Sequence, residues 1–272
     1  MSVRTRFAPS PTGYLHIGGA RTAFFNWLLA KRHQGQFILR IDDTDEARHV
    51  EDAVTRILEG FDWLGLGWDE GPEFKGHGGG SHGPYYQSQR QDKYESAIIS
   101  LIKQGRAYPD LTPPEETDLM RKAAEAAKQP FVFRGKDREM APADALALYE
   151  SQRPAVRYKV PAGRTTILDD KVRGRVEWQT DLLGDFTIAR TGGKPLYNLA
   201  SVVDDIGMQI THIVRSEEHL SNTHPQLHLF EGLGGELPVF AHIPYVAAPG
   251  TKKKLSKRNP PPGVMVAIEE YQ

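Results

Sequence analysis

At 272 residues the chain is long enough to bury one large core or two smaller ones. Its charge is close to balanced, formally -1 with 25% charged residues, which excludes a protein that holds nucleic acid by bulk charge and leaves room only for a local basic patch. Cysteine is absent, which excludes disulfides, thiol catalysis and cysteine-ligated zinc, and with no long apolar run or leader-like segment a soluble, cytoplasmic protein without membrane contact is expected. Residues 3–8 read as a short strand. A helix over 19–34 follows, with Ala20, Ala23, Phe24, Trp27, Leu28 and Ala30 spaced as an apolar face and Gly35 as its stop. Residues 37–41 read as a buried strand that delivers Asp42, Asp43, Thr44 and Asp45 to its carboxyl end. Residues 48–64 look helical, and 72–86, rich in glycine and histidine, read as a loop. Flexible glycines between His77 and His82 argue against a metal site there.

A helix is expected over 88–104, with Tyr94, Ala97, Ile98, Leu101 and Ile102 near one face and Gly105 as cap. Composition then shifts from Ala107 to about Glu177: helices over 115–128 and 141–150 precede short strands joined by turns, the pattern of a mixed α/β insertion. The main fold resumes at Phe186 in this reading, with a strand at 186–190, a hairpin-type turn at 191–194, a helix entered within 195–205, a strand at 211–215 and a helix over 222–234. The outline is a parallel sheet in two halves, with sites at strand ends.

Two stretches carry chemistry. Near the start, RFAPSPTGYLHIGGARTAFFNW is a strand, a glycine-marked turn and a helix start, where backbone N–H groups and the helix dipole suit a phosphate and a histidine can donate to a phosphoryl oxygen. Read alone it is equally a solvent-facing turn, with His16 a mere helix cap. Far along the chain, TKKKLSKR crowds Lys252, Lys253, Lys254, Lys257 and Arg258 around one serine, a pattern that alone also suits a solvated loop.

Together the two stretches resemble the HIGH-like and KMSKS-like signatures of class I aminoacyl-tRNA synthetases. The wording of RIDDTD, VVDDIGMQITHIVRSEEHLSNTHPQL and KLSKR is similar to the glutamyl-tRNA synthetase family over nearly all of 3–258. The resemblance implies a Rossmann-like parallel-sheet nucleotide-binding fold, α/β in class, split by an inserted α/β domain that meets the tRNA acceptor end. The implied division is 1–104 for the first catalytic part, 105–182 for the insertion and 183–272 for the second catalytic part. It also implies ATP-dependent activation of glutamate to glutamyl-adenylate and transfer to tRNA, with Mg²⁺ travelling on ATP, no dedicated metal site, and a monomer.

Carried over residue by residue, His16, Lys254 and Lys257 would stabilise the phosphates. Ser10, Thr12, Gly18, Gly19 and Leu255 would shape the ATP cradle. Arg6, Ala8, Ser10, Asp42, Tyr197, Ser201, Arg215 and Glu218 would line the amino-acid pocket, Arg6 and Arg215 being natural partners for two carboxylates. A buried Arg6 could instead be paired internally, with Asp42 or Asp43 as the acid. Two departures stand out: Asp42 occupies the place of a family glutamate expected to hold the substrate ammonium, a feature shared with glutaminyl-tRNA synthetases, and Ser201 stands where asparagine is common. After KLSKR the sequence reads NPPPGVMVAIEEYQ, so a catalytic portion without an anticodon-binding domain is expected, with the proline run stiffening the exit of the lysine stretch. A glutamyl-queuosine tRNA(Asp) synthetase or a catalytically inactive tRNA-binding paralog remain alternatives, although the segment after Ala107–Tyr108 lacks the cysteines of a zinc-bearing queuosine enzyme. Lys122, Lys128, Arg134, Lys136 and Arg138, with Phe131, Phe133 and Tyr149 nearby, are the most basic part of the insertion and the candidate tRNA contact.

Overall fold

The computed structural model describes residues 2–11, 13–44, 52–255 and 261–271. Its elements run β1 (Arg4–Phe7), α1 (Ile17–Arg32), β2 (Gln36–Leu39), α2 (Ala53–Trp63), β3 (Gly71–Phe74), β4 (His77–Gly79), α3 (Gln91–Lys103), β5 (Ala107–Asp110), α4 (Pro114–Ala126), α5 (Pro142–Gln152), β6 (Ala155–Tyr158), β7 (Thr165–Asp170), β8 (Gly174–Gln179), β9 (Phe186–Ala189), α6 (Tyr197–Gly207), β10 (His212–Ser216), α7 (Leu220–Leu233) and β11 (Val239–Ile243). The central sheet is parallel throughout, in the order β11-β10-β1-β2. Strand order reverses between β1 and β10, and the crevice beyond the carboxyl ends of these two strands is where ligands settle in open α/β sheets. The fold is therefore Rossmann-like, split by the long α/β excursion between β2 and β10.

Helix α1 lies against β1, β2 and β10 through small side chains. Ala20, Ala23 and Ala30 are buried, and buried Asn26 staples the layers: its Nδ2 donates to Val214 O of β10 at 2.9 Å, while Thr5 Oγ1 of β1 donates to Asn26 O at 2.9 Å. The sequence reading puts Phe24 and Leu28 on the buried face, yet both are 45% exposed. A helix that must approach a sheet closely presents alanine to it, and the bulky residues turn away. Gly35 is required by the chain reversal after α1, since a Cβ there would fall 2.0 Å from Val3 O.

Residues 72–86 are more ordered than a loop. Strands β3 and β4 form an antiparallel hairpin, and the two histidines part company: His77 packs on the Trp68 ring at 5.1 Å, while His82 Nδ1 lies 3.0 Å from Glu70 Oε2. Helix α3 buries Tyr94, Ala97, Ile98, Leu101 and Ile102, the face its periodicity marks. Strand β9 also forms, but it pairs antiparallel with β6 in the sheet β5-β6-β9 and not in the parallel sheet, which resumes only with β10. The candidate tRNA patch is divided by packing. Phe133 and Tyr149 are buried, and Arg134 and Arg138 both lie against the Asp185 carboxylate, so of the basic cluster Lys122, Lys128 and Lys136 remain on the exposed surface.

Candidate active site

The switch-point crevice gathers residues from widely separated parts of the chain. Arg6, Ala8 and Ser10 follow along β1 and its exit; His16, Gly18 and Gly19 open α1; Asp42 lies past β2; Tyr197 and Ser201 face in from α6; Arg215 and Glu218 come from β10 and the turn after it; Lys254 and Leu255 close the far side. Thr12 and Lys257 lie outside the described residues.

Under the crevice floor lies a buried charge network. Arg6 donates to Asp205 through Nε and Nη2 at 3.1 and 3.2 Å, and Arg40 donates to Asp205 at 2.8 Å and to Asp42 at 2.8 Å. Arg90 Nε reaches Asp204 Oδ1 at 2.5 Å, and Gln87 and Tyr94 donate to the same carboxylate. The internal partner of Arg6 is thus Asp205 of α6; Asp42 is taken by Arg40, and Asp43 accepts from Ser88 N–H and Oγ. In the β1–β2 register Arg6 sits opposite Ile38, four residues short of Asp42, and α6 brings Asp205 to its guanidinium instead. Burial pushes the Asp205 carboxyl up, but Arg6 and Arg40 outweigh it and hold it below the usual carboxylate range. For Asp42 burial wins, and its carboxyl is pushed up to about 6 despite Arg40 beside it.

Arg215 is different. It is 5% exposed, and its closest hydrogen-bond partners among the described residues are neutral: His242 Nε2 at 3.0 Å, Thr223 Oγ1 at 2.8 Å and Gln226 Oε1 at 2.8 Å, with the neutral Tyr197 side chain also beside the guanidinium. Its Nη1 and the adjacent Ser216 Oγ are buried without a partner among the described residues, and both residues line the crevice. Burial lowers the guanidinium to about 10, so it stays charged at neutral pH. A buried cation without a carboxylate costs several kcal/mol, roughly, and an anionic ligand in the crevice offsets that cost. His219 beside it is pushed down to about 4 by burial and then by Arg215, which leaves a neutral imidazole.

At the other end of the crevice, His16 caps α1, its Nδ1 accepting the Gly19 N–H at 3.2 Å. Capping and a phosphate-facing role are therefore not rivals, because the cap fixes the ring. Lys254 Nζ pairs with Glu218 Oε2, and its backbone bridges to Ala247. Residues after the proline run also reach the site. Ile17 N–H donates to Val266 O and Ile268 N–H to Leu15 O, both at 2.8 Å, and Val266 lines the crevice.

These signatures have a common owner. The family profile for class I tRNA synthetases (E and Q), catalytic domain, matches residues 2–272. The chain belongs to this family. The match runs through the segment after KLSKR, beyond the reach of the motifs legible by eye. Among relatives, the glutamate–tRNA ligase of Moorella thermoacetica is 47% identical over 271 residues, covering 99% of this chain and 54% of the relative. Glutamate–tRNA ligase 1 of Caldanaerobacter subterraneus subsp. tengcongensis is 48% identical over 258 residues, 94% of this chain and 51% of the relative. A glutamate tRNA ligase from Elizabethkingia meningosepticum, solved in complex with its amino acid, superposes with a TM-score of 0.84 at 38% identity, covering 95% of this chain and 52% of that one. The chain spans about half the length of the curated relatives it matches. Among the described residues no helix is long and apolar enough to cross a membrane, and no group of three His, Asp or Glu side chains is arranged to hold a metal.

For a member of this family, sequence reasoning missed Arg40, Ser216, His219, Tyr245 and Val266 as crevice residues. Arg40 directly precedes the IDD run and is completely buried, a signal in plain view. Val266 carries no local signal, since only tertiary folding returns it to α1.

Proposed function

We propose that this chain activates glutamate with ATP and passes the glutamyl group to tRNA. The observation that carries the reading is Arg215, a buried cation with no carboxylate among the described residues within ion-pair distance, facing the crevice that also holds the α1 N-terminus. Glutamate supplies the missing anion, whereas glutamine brings a neutral amide and leaves the guanidinium uncompensated. Arg6, already shared with Asp205, assists at the side-chain carboxylate. Asp42 holds the ammonium.

In the first step an α-carboxylate oxygen attacks the α-phosphorus, the bond to the bridging oxygen breaks, and pyrophosphate leaves. His16, the backbone N–H groups of Gly18 and Gly19, and Lys254 are the residues that would hold the phosphates and balance the growing negative charge. Thr12 and Lys257 are assigned to the same task from the sequence resemblance. Mg²⁺, carried on ATP, supplies further charge compensation. In the second step a terminal tRNA hydroxyl attacks the acyl carbon and AMP leaves. The relatives are glutamate–tRNA ligases, which supports charging of a tRNA end over modification of a base. Lys122, Lys128 and Lys136 are the side chains we assign to the acceptor strand.

The test is amino-acid-dependent ATP–pyrophosphate exchange with glutamate or glutamine, with and without bulk tRNA. Exchange specific to glutamate is expected when tRNA is present. Absence of exchange with both amino acids under all conditions overturns the reading.

Two further expectations arise from this assignment. Asp42 is ionised above about pH 6 and neutral below it. Glutamate affinity should therefore fall as pH drops through this value, and Asp42→Asn should flatten that step in a calorimetric titration; an unchanged step in the variant removes Asp42 as the ammonium partner. Gly18→Ala places a Cβ 3.0 Å from His16 Cε1 and 3.1 Å from Nδ1, so the ring must give by a few tenths of an ångström, which weakens the cap it offers to the Gly19 N–H. Weakening the cap costs up to about 1 kcal/mol while alanine regains a similar amount in helix propensity. The expected result is a nearly unchanged unfolding temperature with exchange lowered about tenfold, the loss of one well-placed transition-state contact.

A further inference from the structure

Asp170 closes β7, on the hairpin with β8, and is 4% exposed, yet no reaction step above uses it. Its Oδ1 accepts the N–H groups of Val172 at 2.9 Å and Arg173 at 2.8 Å, which shapes the hairpin turn. Its Oδ2 lies 2.6 Å from Nδ1 of the fully buried His242 on β11, and both oxygens approach the His242 N–H. Burial pushes the Asp170 carboxyl up, but these N–H groups hold it below the usual range, while burial and nearby Arg215 lower His242. An ionised carboxylate only accepts, so the imidazole proton sits on Nδ1. The Nε2 lone pair is left to accept from Arg215 Nε at 3.0 Å, with Thr223 Oγ1, which shares its hydrogen with His219 O, also 3.0 Å away.

We propose that Asp170 and His242 form a positioning dyad for glutamate recognition: the carboxylate fixes one imidazole tautomer, and the imidazole fixes the inner edge of Arg215 so that Nη1 faces the crevice. The proposal rests on the assignment of Arg215 to a glutamate carboxylate. Had Asp170 touched Arg215 directly, the ion pair would have cancelled the charge that attracts the substrate. An intervening neutral ring transmits orientation and withholds neutralisation. The dyad also makes the β7–β8 hairpin, part of the excursion between β2 and β10, a contributor to the amino-acid pocket.

Asp170→Asn separates orientation from folding. The asparagine Oδ1 can still accept from Val172 and Arg173, but its NH₂ now faces His242 Nδ1, which moves the imidazole proton to Nε2 and sets it against Arg215 Nε–H. The expected result is a glutamate Kd raised about tenfold or more, the size of one lost hydrogen bond to a charged group, with ATP affinity changed less than about twofold. The double variant Asp170→Asn/His242→Gln, which offers Arg215 a carbonyl acceptor independent of residue 170, should recover most of the loss. Nitrogen-15 NMR of the wild-type histidines should place the His242 proton on Nδ1, and this measurement needs no variant to fold. A proton on Nε2 in the wild-type protein overturns the dyad, as does unchanged glutamate affinity in folded Asp170→Asn. Failure of the wild-type protein to bind glutamate overturns instead the assignment of Arg215 on which the dyad rests.

Discussion

Arg215→Met is expected to lower glutamate-dependent exchange, as kcat/KM, about a thousandfold, equivalent to about 4 kcal/mol of transition-state stabilisation. The loss should be carried by KM for glutamate and not for ATP, because the proposed role of Arg215 is to pair with a glutamate carboxylate. Stability should move far less. Removing one member of a buried ion pair ordinarily costs about 3–5 kcal/mol, since it strands the other charge. Arg215 has no such partner among the described residues, and His242 Nε2 keeps its bond to Thr223 Oγ1 after the change. An apolar side chain of similar length also relieves the desolvation of an isolated cation. Gln226 Oε1 loses its donor at a cost of about 1–3 kcal/mol, partly offset by that relief, so the unfolding temperature should fall by no more than about 5 °C. A collapse of folding, with activity lost only in proportion, would mean that Arg215 is a structural residue and not a ligand for the substrate.

Asp204→Ala should act first on stability. Its carboxylate is fully buried and accepts from Arg90, Gln87 and Tyr94, with Arg40 Nε 3.7 Å away. Truncation leaves Arg90 without its anion and removes one of three carboxylates that balance Arg6, Arg40 and Arg90. A loss of about 3–5 kcal/mol is expected, which lowers the unfolding temperature by roughly 10 °C in a chain of this size. Activity of the folded fraction should fall as well, because Arg40 then leans on Asp42 and Asp205 alone and the ammonium site is disturbed. Thermal unfolding followed by far-ultraviolet circular dichroism reads the first effect directly. A shift within about 2 °C would show that the network tolerates an unbalanced charge, against the ordinary behaviour of buried pairs.

The two variants mark the boundary between what the sequence discloses and what it does not. Strand–turn–helix at the start, the IDD run and the buried face of α3 are legible because each is a local pattern of polarity, glycine and period. Gathering Arg6, His16, Asp42, Tyr197, Ser201, Arg215 and Glu218 in one crevice follows from strand ends meeting at a switch point, and the family resemblance supplies their identities. Pairing is another matter. That Arg6 joins Asp205 while Arg215 joins no carboxylate among the described residues depends on tertiary packing that brings α6 to the Arg6 side chain, about two hundred residues away in sequence, which no window of sequence contains. Strand β11 escapes for a different reason: VFAHI is short, carries a buried histidine, and only its partner Asp170 explains that histidine. The glycine-rich stretch 72–86 misleads because glycine marks close backbone approach as readily as freedom. In β4 a Cβ on Gly78 would meet Pro72 O at 2.1 Å.

Asn26 gives the molecule a fixed jaw. Its amide grips β10 one residue before Arg215, its carbonyl holds β1 through Thr5, and the helix it belongs to begins at His16. The gap between Arg215 and His16 is thus set by two short side-chain-to-backbone bonds, like the opening of a caliper, and not by the adjustable reach of long side chains. A molecule laid across that gap is gauged for length as well as for charge.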